Sequence, residues 1–155
     1  MRFITYYCRL NQKLVRNPYP LPRIVKTMQQ LEGFQYGNAL YLNMEYHTIR
    51  RFPASQDMTT IVTEFDKFRY NRLPMVMCAS GYIFQAKVDK LLVDIKGIKM
   101  YIDDILILRN YFFTNHIKQL RIVFSIFCAA GLKVNSPRCS FGLKVIPYLS
   151  YLIIN

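Results

Sequence analysis

The fold is decided by residues 98–108, which read Ile98-Lys99-Met100-Tyr101-Ile102-Asp103-Asp104-Ile105-Leu106-Ile107-Leu108. Two short apolar runs flank an adjacent pair of carboxylates, which is the pattern of two strands joined by a tight turn. Such a turn puts both carboxylates at the edge of a sheet. Oxygen ligands gathered there suit the hard divalent cations that two-metal nucleotidyl transfer requires. An Asp-Asp pair is also a common solvated turn dipeptide, so by itself it does not separate these roles.

Helical periodicity is found on both sides of this pair of runs. From Ser80, a predicted N-cap, apolar residues keep a helical spacing until Gly97. The predicted buried stripe of this helix consists of Ile83, Phe84, Val88, Leu91, Leu92 and Ile95. A second helix is predicted from Thr114, as its cap, to Gly131. Its predicted buried stripe consists of Ile117, Leu120, Phe124, Phe127 and Cys128.

The order of the segments indicates the fold class. Short strands are predicted after the second helix at 132–134, 140–143 and 148–154. The second half therefore reads as helix, strand pair, helix and strands, which is the order of a split βαβ unit. We expect an α+β fold with a ferredoxin-like antiparallel sheet and two helices packed on it.

The first half is predicted to be less regular. Alternating prolines make 17–23 an extended connector, because proline fixes φ and removes a backbone donor. A short helix is predicted over 24–31, closed by Gly33. A strand is predicted over 39–49, and a hairpin over 61–65 and 68–73 that turns near Asp66 and Lys67.

Composition limits the class of protein. Of 155 residues, 52% are hydrophobic and 19% charged, so one globular domain is expected rather than a disordered chain. The formal charge of +12 favours a polyanionic partner such as nucleic acid or an acidic membrane surface. Without a spanning run or a signal peptide, we expect an intracellular protein of the cytoplasm or nucleus that is not secreted. Four widely spaced cysteines favour neither a zinc cluster nor a redox motif, and Cys78 and Cys128 are expected in the core.

Residues 101–107 resemble the Tyr-x-Asp-Asp hairpin of reverse transcriptases. Further blocks resemble those of gypsy-like long-terminal-repeat retrotransposons, in the same order: 17–24, 72–75 with 83–85, 129–135, 139–142 and 148–149. The resemblance implies a single domain over 1–155, made of a polymerase palm (26–48 and 80–155) and part of the fingers (1–25 and 49–79). Because the sequence stops at the primer-grip strands, we expect no thumb and no ribonuclease H region.

The resemblance also implies roles for single residues. Asp103 and Asp104 are the catalytic carboxylates and would hold Mg²⁺, or Mn²⁺ in its place. Tyr46 is the aromatic gate against a ribose 2′-hydroxyl, for which simple core packing is the alternative. Met75 and Gln85 line the nucleotide pocket. The implied partners are an RNA or RNA/DNA template-primer and deoxynucleoside triphosphates, with no membrane.

Several positions depart from the family pattern. Tyr41 replaces the third metal-binding Asp, and a phenol with a pKa of about 10 is a poor ligand for Mg²⁺. Glu45 stands where the family has a small residue beside the triphosphate. On a continuous strand it would share a face with Tyr41 but lie about 13 Å away, too far to replace the missing Asp. Tyr6 and Cys8 replace the Asp and the triphosphate-binding Arg of the fingers motif.

Val76 and Ser150 stand at glycine positions of the family, where a side chain is expected to bring strain. Together these departures predict a degenerate copy that no longer polymerises. One alternative is a non-catalytic, basic nucleic-acid-binding remnant, and another is a partly folded relic without a selected function. In the binding remnant, phosphates would be contacted by Lys13, Arg16, Arg23, Arg69, Arg72 and Lys133.

Overall fold

The structure is a computed structural model, and it describes residues 5–29, 31, 33–43, 45–110 and 112–154, the side chain of Glu45 excepted. In chain order the elements are α1 (Cys8–Lys13), α2 (Ile24–Gln29), β1 (Tyr36–Asn43), α3 (Pro53–Gln56), β2 (Ile61–Val62), β3 (Lys67–Phe68), α4 (Ser80–Leu92), β4 (Ile98–Tyr101), β5 (Asp104–Arg109), α5 (Phe113–Ala129), β6 (Lys133–Val134), β7 (Ser140–Leu143), β8 (Val145–Tyr148) and β9 (Tyr151–Ile154). Short 3₁₀ helices are found at Glu45–Thr48, Asp57–Thr59 and Ser136–Arg138.

The central sheet has the strand order β4-β5-β1-β6, with β7 also paired to β1. All of these pairs are antiparallel. In the chain, α4 lies between β1 and β4 and follows α3 and the β2–β3 hairpin, whereas α5 lies between β5 and β6. The predicted split βαβ order and the α+β class with an antiparallel sheet are therefore confirmed.

Side chains of the two central strands alternate between the two faces of this sheet. Leu40, Leu42, Ile105 and Ile107 are buried on the face covered by the helices. From the helices, that core takes Phe84, Val88, Leu92, Val123 and Phe127. On the opposite face, Ala39, Leu106 and Leu108 pack with Phe34 and with residues of β8 and β9. Burial of each large apolar side chain contributes about 1.5–3 kcal/mol, so both faces anchor the sheet.

The ends of the helices differ in part from the prediction. Ser80 is the first residue of α4 rather than its cap, and its Oγ donates to the Pro74 carbonyl at 2.6 Å. Helix α4 ends at Leu92, five residues before Gly97. Helix α5 is preceded by Phe112 as N-cap, so Thr114 is not the cap.

The predicted C-terminal stop of α5 is confirmed. Gly131 has a φ of +69°, and its N–H donates to the Cys128 carbonyl at 3.1 Å. The Leu132 N–H donates to the Phe127 carbonyl at 2.8 Å, which completes a Schellman motif. Glycine suits this position because an L side chain rarely adopts a positive φ.

The predicted buried stripes of both helices are confirmed in part, since Phe84, Val88, Leu92 and Phe127 are buried as predicted. Ile83 and Leu91 are exposed on α4, and Cys128 is exposed on α5. The buried line of α5 runs instead through His116, Gln119, Val123 and Phe127. Two polar residues were thus missed because they are buried by specific hydrogen bonds rather than by apolar character. Cys78, also expected in the core, is half-buried.

Strand β1 starts at Tyr36 and ends at Asn43, whereas the predicted strand covered 39–49. The earlier start includes Gly37, where an added Cβ would lie 1.9 Å from the Ile146 Cδ1. Glycine is a weak strand former, and here close packing rather than propensity places it in the sheet. The segment after Asn43 forms a 3₁₀ helix, so strand alternation does not extend to Glu45.

The remaining local predictions are confirmed in part. The hairpin β2–β3 is present with strands of two residues each, and the Thr63 N–H donates to the Asp66 carbonyl at 2.9 Å across its turn. The predicted strand 148–154 is a hairpin, β8–β9, with its turn at Leu149 and Ser150. Helix α2 ends at Gln29, while Gln30 and Glu32 lie outside the described residues. No helix in the described ranges is long and apolar enough to cross a membrane.

Candidate active site

The two adjacent carboxylates lie at the turn that joins β4 to β5. Tyr101 pairs with Asp104 across the hairpin, so Ile102 and Asp103 form a two-residue turn. Ile102 has a φ of +55°, a region that a β-branched side chain rarely adopts. A positive φ at the first turn residue is typical of tight hairpins, because it matches the twist of the strands. The turn that carries the carboxylates is therefore strained.

Hydrogen bonds from α4 and β1 hold this turn. The fully buried Gln85 accepts from the Ile102 N–H through Oε1 at 2.7 Å. Its Nε2 donates to the Asp89 Oδ1 at 2.8 Å. From the sheet, the Leu42 N–H donates to the Asp103 carbonyl at 3.2 Å. Both ends of the Gln85 amide, which the resemblance places in the nucleotide pocket, are thus occupied within the protein.

Asp104 is half-buried at the start of β5. Burial raises the pKa of its carboxyl to about 6, the charge of Asp103 adds to the rise, and Arg138 opposes it. At neutral pH this carboxylate is mostly ionised, and its partial burial makes the ionised form energetically costly. A positive charge close to the pair is therefore favourable.

Tyr41 faces Asp104 from the neighbouring strand. The two residues are direct partners in the β1–β5 register, so the position that the resemblance gives to a third carboxylate does lie beside the pair. The Arg138 Cζ lies 4.7 Å from the centroid of the Tyr41 ring. Burial and the charge of Asp104 raise the pKa of the Tyr41 hydroxyl. This phenol is therefore protonated and uncharged at physiological pH.

The donor set does not fit a pair of divalent cations. Within the part of the chain that the structure describes, no three His, Cys, Asp or Glu side chains lie close enough together to hold a metal. Magnesium prefers oxygen ligands in near-octahedral geometry, and two ions must share several carboxylates. Here a neutral phenol and a guanidinium lie where the resemblance implies a third carboxylate.

Two neighbours of the carboxylates have no local signal in the sequence. Tyr148 in β8 is 1% exposed, its hydroxyl lies 3.5 Å from the Asp104 carbonyl oxygen, and burial raises its pKa far above the ordinary value. Arg138 reaches Tyr41 from the 3₁₀ helix after β6. Both residues reach the site through the packing of the last strands against β1 and β5, which no local pattern reveals.

Tyr46 lies in the 3₁₀ helix that follows β1. Its ring packs against Phe84 of α4, with 5.5 Å between the ring centroids, and it is half-buried beside the helix-covered core. This contact fits the core-packing alternative and leaves part of the ring accessible. The backbone of Glu45 starts the same 3₁₀ helix, and its side chain is outside the described atoms.

The segment with Met75 and Val76 is held by Asn11 of α1. The Asn11 Nδ2 donates to the Val76 carbonyl at 3.0 Å, and its Oδ1 accepts from the Cys78 N–H at 3.0 Å. Met75 is exposed at 37%. The adjacent cavity, which Met75 and Val76 line together with Tyr7, has a volume of about 20 Å³, too small for a nucleotide.

The strain expected at the two glycine positions is found at one of them. Ser150 has a φ of +65° and Leu149 a φ of +48°, the conformation of a two-residue turn that glycine and asparagine prefer. Val76 is not among the described residues with positive φ, so its side chain causes no backbone strain.

Residues of the fingers motif and the basic residues lie mainly at the surface. Tyr6 is 82% exposed, and Cys8 is exposed at the start of α1. Of the six cations expected to contact phosphates, Arg69 forms an ion pair with Asp57 at 2.5 Å. Arg72 donates to the Thr48 carbonyl at 3.1 Å. The other four are exposed: Lys13, Arg16, Arg23 and Lys133.

Comparison with known sequences identifies the family. The family model described as "Reverse transcriptase (RNA-dependent DNA polymerase)" matches residues 1–153. The Pol polyprotein of the transposon opus of Drosophila melanogaster is 29% identical over 154 residues, which are 98% of this chain and 15% of the polyprotein. That of the Drosophila transposon gypsy is 23% identical, over 98% of this chain and 15% of the polyprotein. The chain thus spans a small part of the length of these relatives.

Comparison with solved structures supports the fold. The foamy viral protease-reverse transcriptase in complex with RNA/DNA hybrid matches with a TM-score of 0.91 at 24% identity, over 97% of this chain and 20% of that chain. Its complex with dsDNA also matches with a TM-score of 0.91, over 99% of this chain and 32% of that chain. The likeness to retrotransposon polyproteins confirms the resemblance seen in the sequence. With a family match over nearly its whole length, the chain belongs to the reverse transcriptase family of RNA-dependent DNA polymerases.

Proposed function

We propose that this chain is the palm and part of the fingers of a retrotransposon reverse transcriptase, built for template-directed nucleotidyl transfer to a primer 3′ end by two-metal catalysis, and that in its present sequence it no longer extends a primer. The palm corresponds to 26–48 and 80–155, and the fingers to 1–25 and 49–79. It would act in the cytoplasm or nucleus on an RNA or RNA/DNA template-primer. The foamy viral neighbours, solved with RNA/DNA hybrid and with dsDNA, support this choice of partner.

One observation carries the proposal of inactivity: Tyr41 is the direct register partner of Asp104. In active two-metal enzymes the divalent ions, Mg²⁺ or Mn²⁺, neutralise charge on the triphosphate and on the attacking primer hydroxyl. Asp103 and Asp104 supply two carboxylates for that task. A neutral phenol cannot supply the third, because its hydroxyl keeps its proton beside Asp104.

The test is primer extension on an RNA template with deoxynucleoside triphosphates and Mg²⁺ or Mn²⁺. Four chains are compared: the unmodified chain, Tyr41→Asp, Asp103→Asn and the double variant Tyr41→Asp/Asp103→Asn. We expect extension from Tyr41→Asp alone, because only that chain has three carboxylates at the turn. Extension by the unmodified chain that disappears in Asp103→Asn contradicts the proposal. If Tyr41→Asp does not extend the primer either, the loss of extension is assigned to the other departures, at Tyr6, Cys8 and Glu45.

The second candidate function is nucleic-acid binding without catalysis, which the excess of exposed cations favours. Lys13, Arg16, Arg23 and Lys133 are exposed, and within the described residues Arg69–Asp57 is the one ion pair. Such binding weakens with salt, and each phosphate contact adds about 0.7–0.9 to the slope of log affinity against log salt. Lys133→Gln should reduce this slope by about one contact on an RNA/DNA hybrid. Arg69→Gln, whose cation is already paired, should change it less, and equal slopes in all three chains would exclude a phosphate contact at Lys133.

A further inference from the structure

A cavity of about 330 Å³ lies beside the helix-covered core, between residues 48–50, helix α4 and the end of α5. Its apolar lining consists of Ile49, Phe84, Val88, Leu91, Ala130 and Leu132. Phe84 and Val88 are each 1% exposed, so the floor of the cavity is part of the core. Small-molecule sites have volumes of about 300–1,000 Å³. The cavity therefore has room for a small organic ligand, but not for a folded segment of a partner protein.

Backbone hydrogen bonds hold two walls of this cavity in place. In the wall formed by residues 48–50, the Ile49 carbonyl accepts from the Leu73 N–H at 3.0 Å. In the wall formed by the end of α5, the Ala130 N–H donates to the Ile126 carbonyl at 2.9 Å, just before the Schellman motif. The third wall is helix α4 itself. Because these walls are already ordered, a ligand can bind without the entropic cost of ordering them.

Two cations accompany the apolar lining. Arg50 and Lys87 also line the cavity, and both residues are exposed. Long basic side chains pack their alkyl stems on apolar surface and keep the charge in water. Among the described residues that line the cavity, none carries a carboxylate. Within the described ranges, neither cation forms an ion pair. The cavity therefore combines an apolar interior with unpaired positive charge at its mouth.

The helix gives Lys87 no carboxylate partner either. The residues three and four positions away from it on α4 are Ile83, Phe84, Lys90 and Leu91. These are the positions whose side chains are its neighbours on a helix surface. The wall from the end of α5 also adds no negative charge, because the sequence contains no Asp or Glu after Asp104. An anion at this mouth would thus meet two cations without a competing carboxylate from either helix.

A second cavity of similar size provides an internal comparison. It has a volume of about 370 Å³ and lies beside β9. Its described lining has no charged side chain and consists of Met28, Leu31, Gly33, Phe34 and residues 151–154. An apolar ligand can therefore be buried in either cavity, whereas a ligand with a negative charge should prefer the cavity with the two cations.

We propose that the cavity between residues 48–50, α4 and the end of α5 binds a small amphipathic anion. Its aromatic or alkyl body would pack on Phe84 and Val88, and its carboxylate would be held by Arg50 and Lys87. The bound molecule would lie one ring away from Tyr46, because Phe84 also packs against Tyr46 with 5.5 Å between the ring centroids. Such binding needs no metal and no nucleic acid, so it is independent of the proposed polymerase chemistry.

The test is a titration of the full chain with 4-phenylbutanoate, followed by methyl ¹H–¹³C NMR. The neutral 4-phenylbutan-1-ol, which has the same body without the charge, is the matched ligand. Val88 and Leu91 report on the proposed site, and Leu152 and Ile153 report on the second cavity. The anion should shift the Val88 and Leu91 signals and bind there about 10-fold more tightly than the alcohol at low salt. Each exposed cation is expected to supply a factor of about 3.

The first variants remove the two charges. Lys87→Gln and Arg50→Gln should each weaken the binding of 4-phenylbutanoate about 3-fold, and the double variant about 10-fold. The affinity for the alcohol should stay within about 1.5-fold in all three chains, because it has no charge to lose a partner. The matched control is Lys90→Gln, which removes an exposed cation of the same helix that does not line the cavity. It should change the affinity for the anion by less than about 1.5-fold.

A further variant tests the location of the site. Ala130 is a half-buried wall residue, so Ala130→Leu fills the cavity and should weaken the binding of both ligands more than about 10-fold. The proposal is overturned if the anion and the alcohol bind with equal affinity, or if Lys90→Gln weakens the anion as much as Lys87→Gln does. Shifts of the Ile153 methyl signals without shifts of the Val88 signals would overturn it as well.

Discussion

The β4–β5 hairpin and strand β1 are neighbours in one sheet, yet they differ in what they keep of the family pattern. The hairpin has both carboxylates, and its turn is held by Gln85 and by β1. Strand β1 is also well packed, since the side chains of Leu40 and Ala39 are 0% and 1% exposed. At the position opposite Asp104, however, it carries Tyr41, where the resemblance implies a carboxylate.

This difference shows that packing and chemistry are separable in this sheet. The register of β1 is set by its buried residues and by backbone pairing, and neither depends on the side chain at position 41. The residue at position 41 can therefore differ from a carboxylate while the fold remains. The packing of the sheet and the chemistry of position 41 can therefore be tested separately.

The largest expected effect concerns the packing that the two strands share. Leu40 and Ile105 are direct cross-strand partners, and both are 0% exposed in the helix-covered core. Leu40→Ala and Ile105→Ala should each lower the free energy of unfolding by about 2–5 kcal/mol, measured by urea denaturation. Because the residues are in contact, the double variant should lose less than the sum.

The matched control for this experiment is Phe65→Ala. Phe65 lies between β2 and β3 and is 92% exposed, so its change should stay within about 0.5 kcal/mol. A loss below about 1 kcal/mol for either Leu40→Ala or Ile105→Ala would show that one of the two strands is not natively packed, which contradicts the comparison.

The second prediction concerns the close approach at Gly37. A Cβ there would lie 1.9 Å from the Ile146 Cδ1 and 2.8 Å from the Leu108 Cδ2, both side-chain ends in the core opposite the helices. Gly37→Ala should therefore cost about 1–3 kcal/mol of stability by overpacking. Ile146→Val should recover part of that loss in Gly37→Ala, although by itself it destabilises. No recovery in the double variant would exclude Ile146 as the source of the clash.

How much of this architecture can be predicted from the sequence depends on whether the signal is local. The two strands of the carboxylate hairpin are predicted within a residue, because apolar runs and a polar turn are adjacent in sequence. The stop of α5 at Gly131 is likewise a local signal. The start of β1 is not, because Gly37 and Asn38 join the strand by pairing with Leu108 and Ile107 of β5, which are distant in sequence.

For the site, the sequence indicates which residues carry chemistry but not what supports them. The sequence itself shows the carboxylate pair, the resemblance implies that Tyr41 takes the place of a third carboxylate, and the structure brings the three residues together. The bond between Gln85 and Ile102 joins residues 17 apart, and the contact of Arg138 with Tyr41 joins residues 97 apart. Such contacts follow from tertiary packing, which the periodicity of the sequence does not reveal.

A smaller effect on stability is expected at the contact between α5 and β1. The Asn38 Oδ1 accepts from the Gly142 N–H at 2.8 Å and lies 3.2 Å from the His116 Nε2, which must therefore be the protonated ring nitrogen. The buried His116 Nδ1 has no partner among the described residues. Burial and the charge of Arg109 lower the pKa of His116. The folded protein therefore favours the neutral ring.

The resulting pH dependence has a definite sign. The contribution of His116 to stability is complete above about pH 6.5 and falls as the pH is lowered below it, because the unfolded chain takes up the proton at a higher pH than the folded one. Asp104, whose carboxyl pKa is raised to about 6, contributes in the opposite direction over the same range. Urea titrations between pH 7 and pH 5 should therefore show a fall in the His116 contribution, taken as the difference between the unmodified chain and His116→Gln. His116→Gln should remove this contribution to the slope of stability against pH, whereas His47→Gln, the change at the other histidine, should keep it. An unchanged slope in His116→Gln would exclude the ring as its source.

The smallest expected effect is that of the Tyr41 hydroxyl. Tyr41→Phe keeps the ring under the Arg138 guanidinium and should change the free energy of unfolding by less than about 0.5 kcal/mol. It should also remain inactive in primer extension, since no carboxylate is gained. A loss above about 1 kcal/mol would show that the hydroxyl has a structural role, and would explain Tyr41 as a selected part of the fold.

The most direct test of the proposal that position 41 lacks a metal ligand is a titration with Mn²⁺, followed by the electron paramagnetic resonance of the free ion. We expect the unmodified chain to bind weakly, Tyr41→Asp to bind about 10-fold more tightly, and Asp103→Asn to abolish that gain in the double variant. This result would place the defect at position 41 of an otherwise intact site. Equal Mn²⁺ affinity of the unmodified chain and Tyr41→Asp would contradict the account, because the site would then not lack a ligand there.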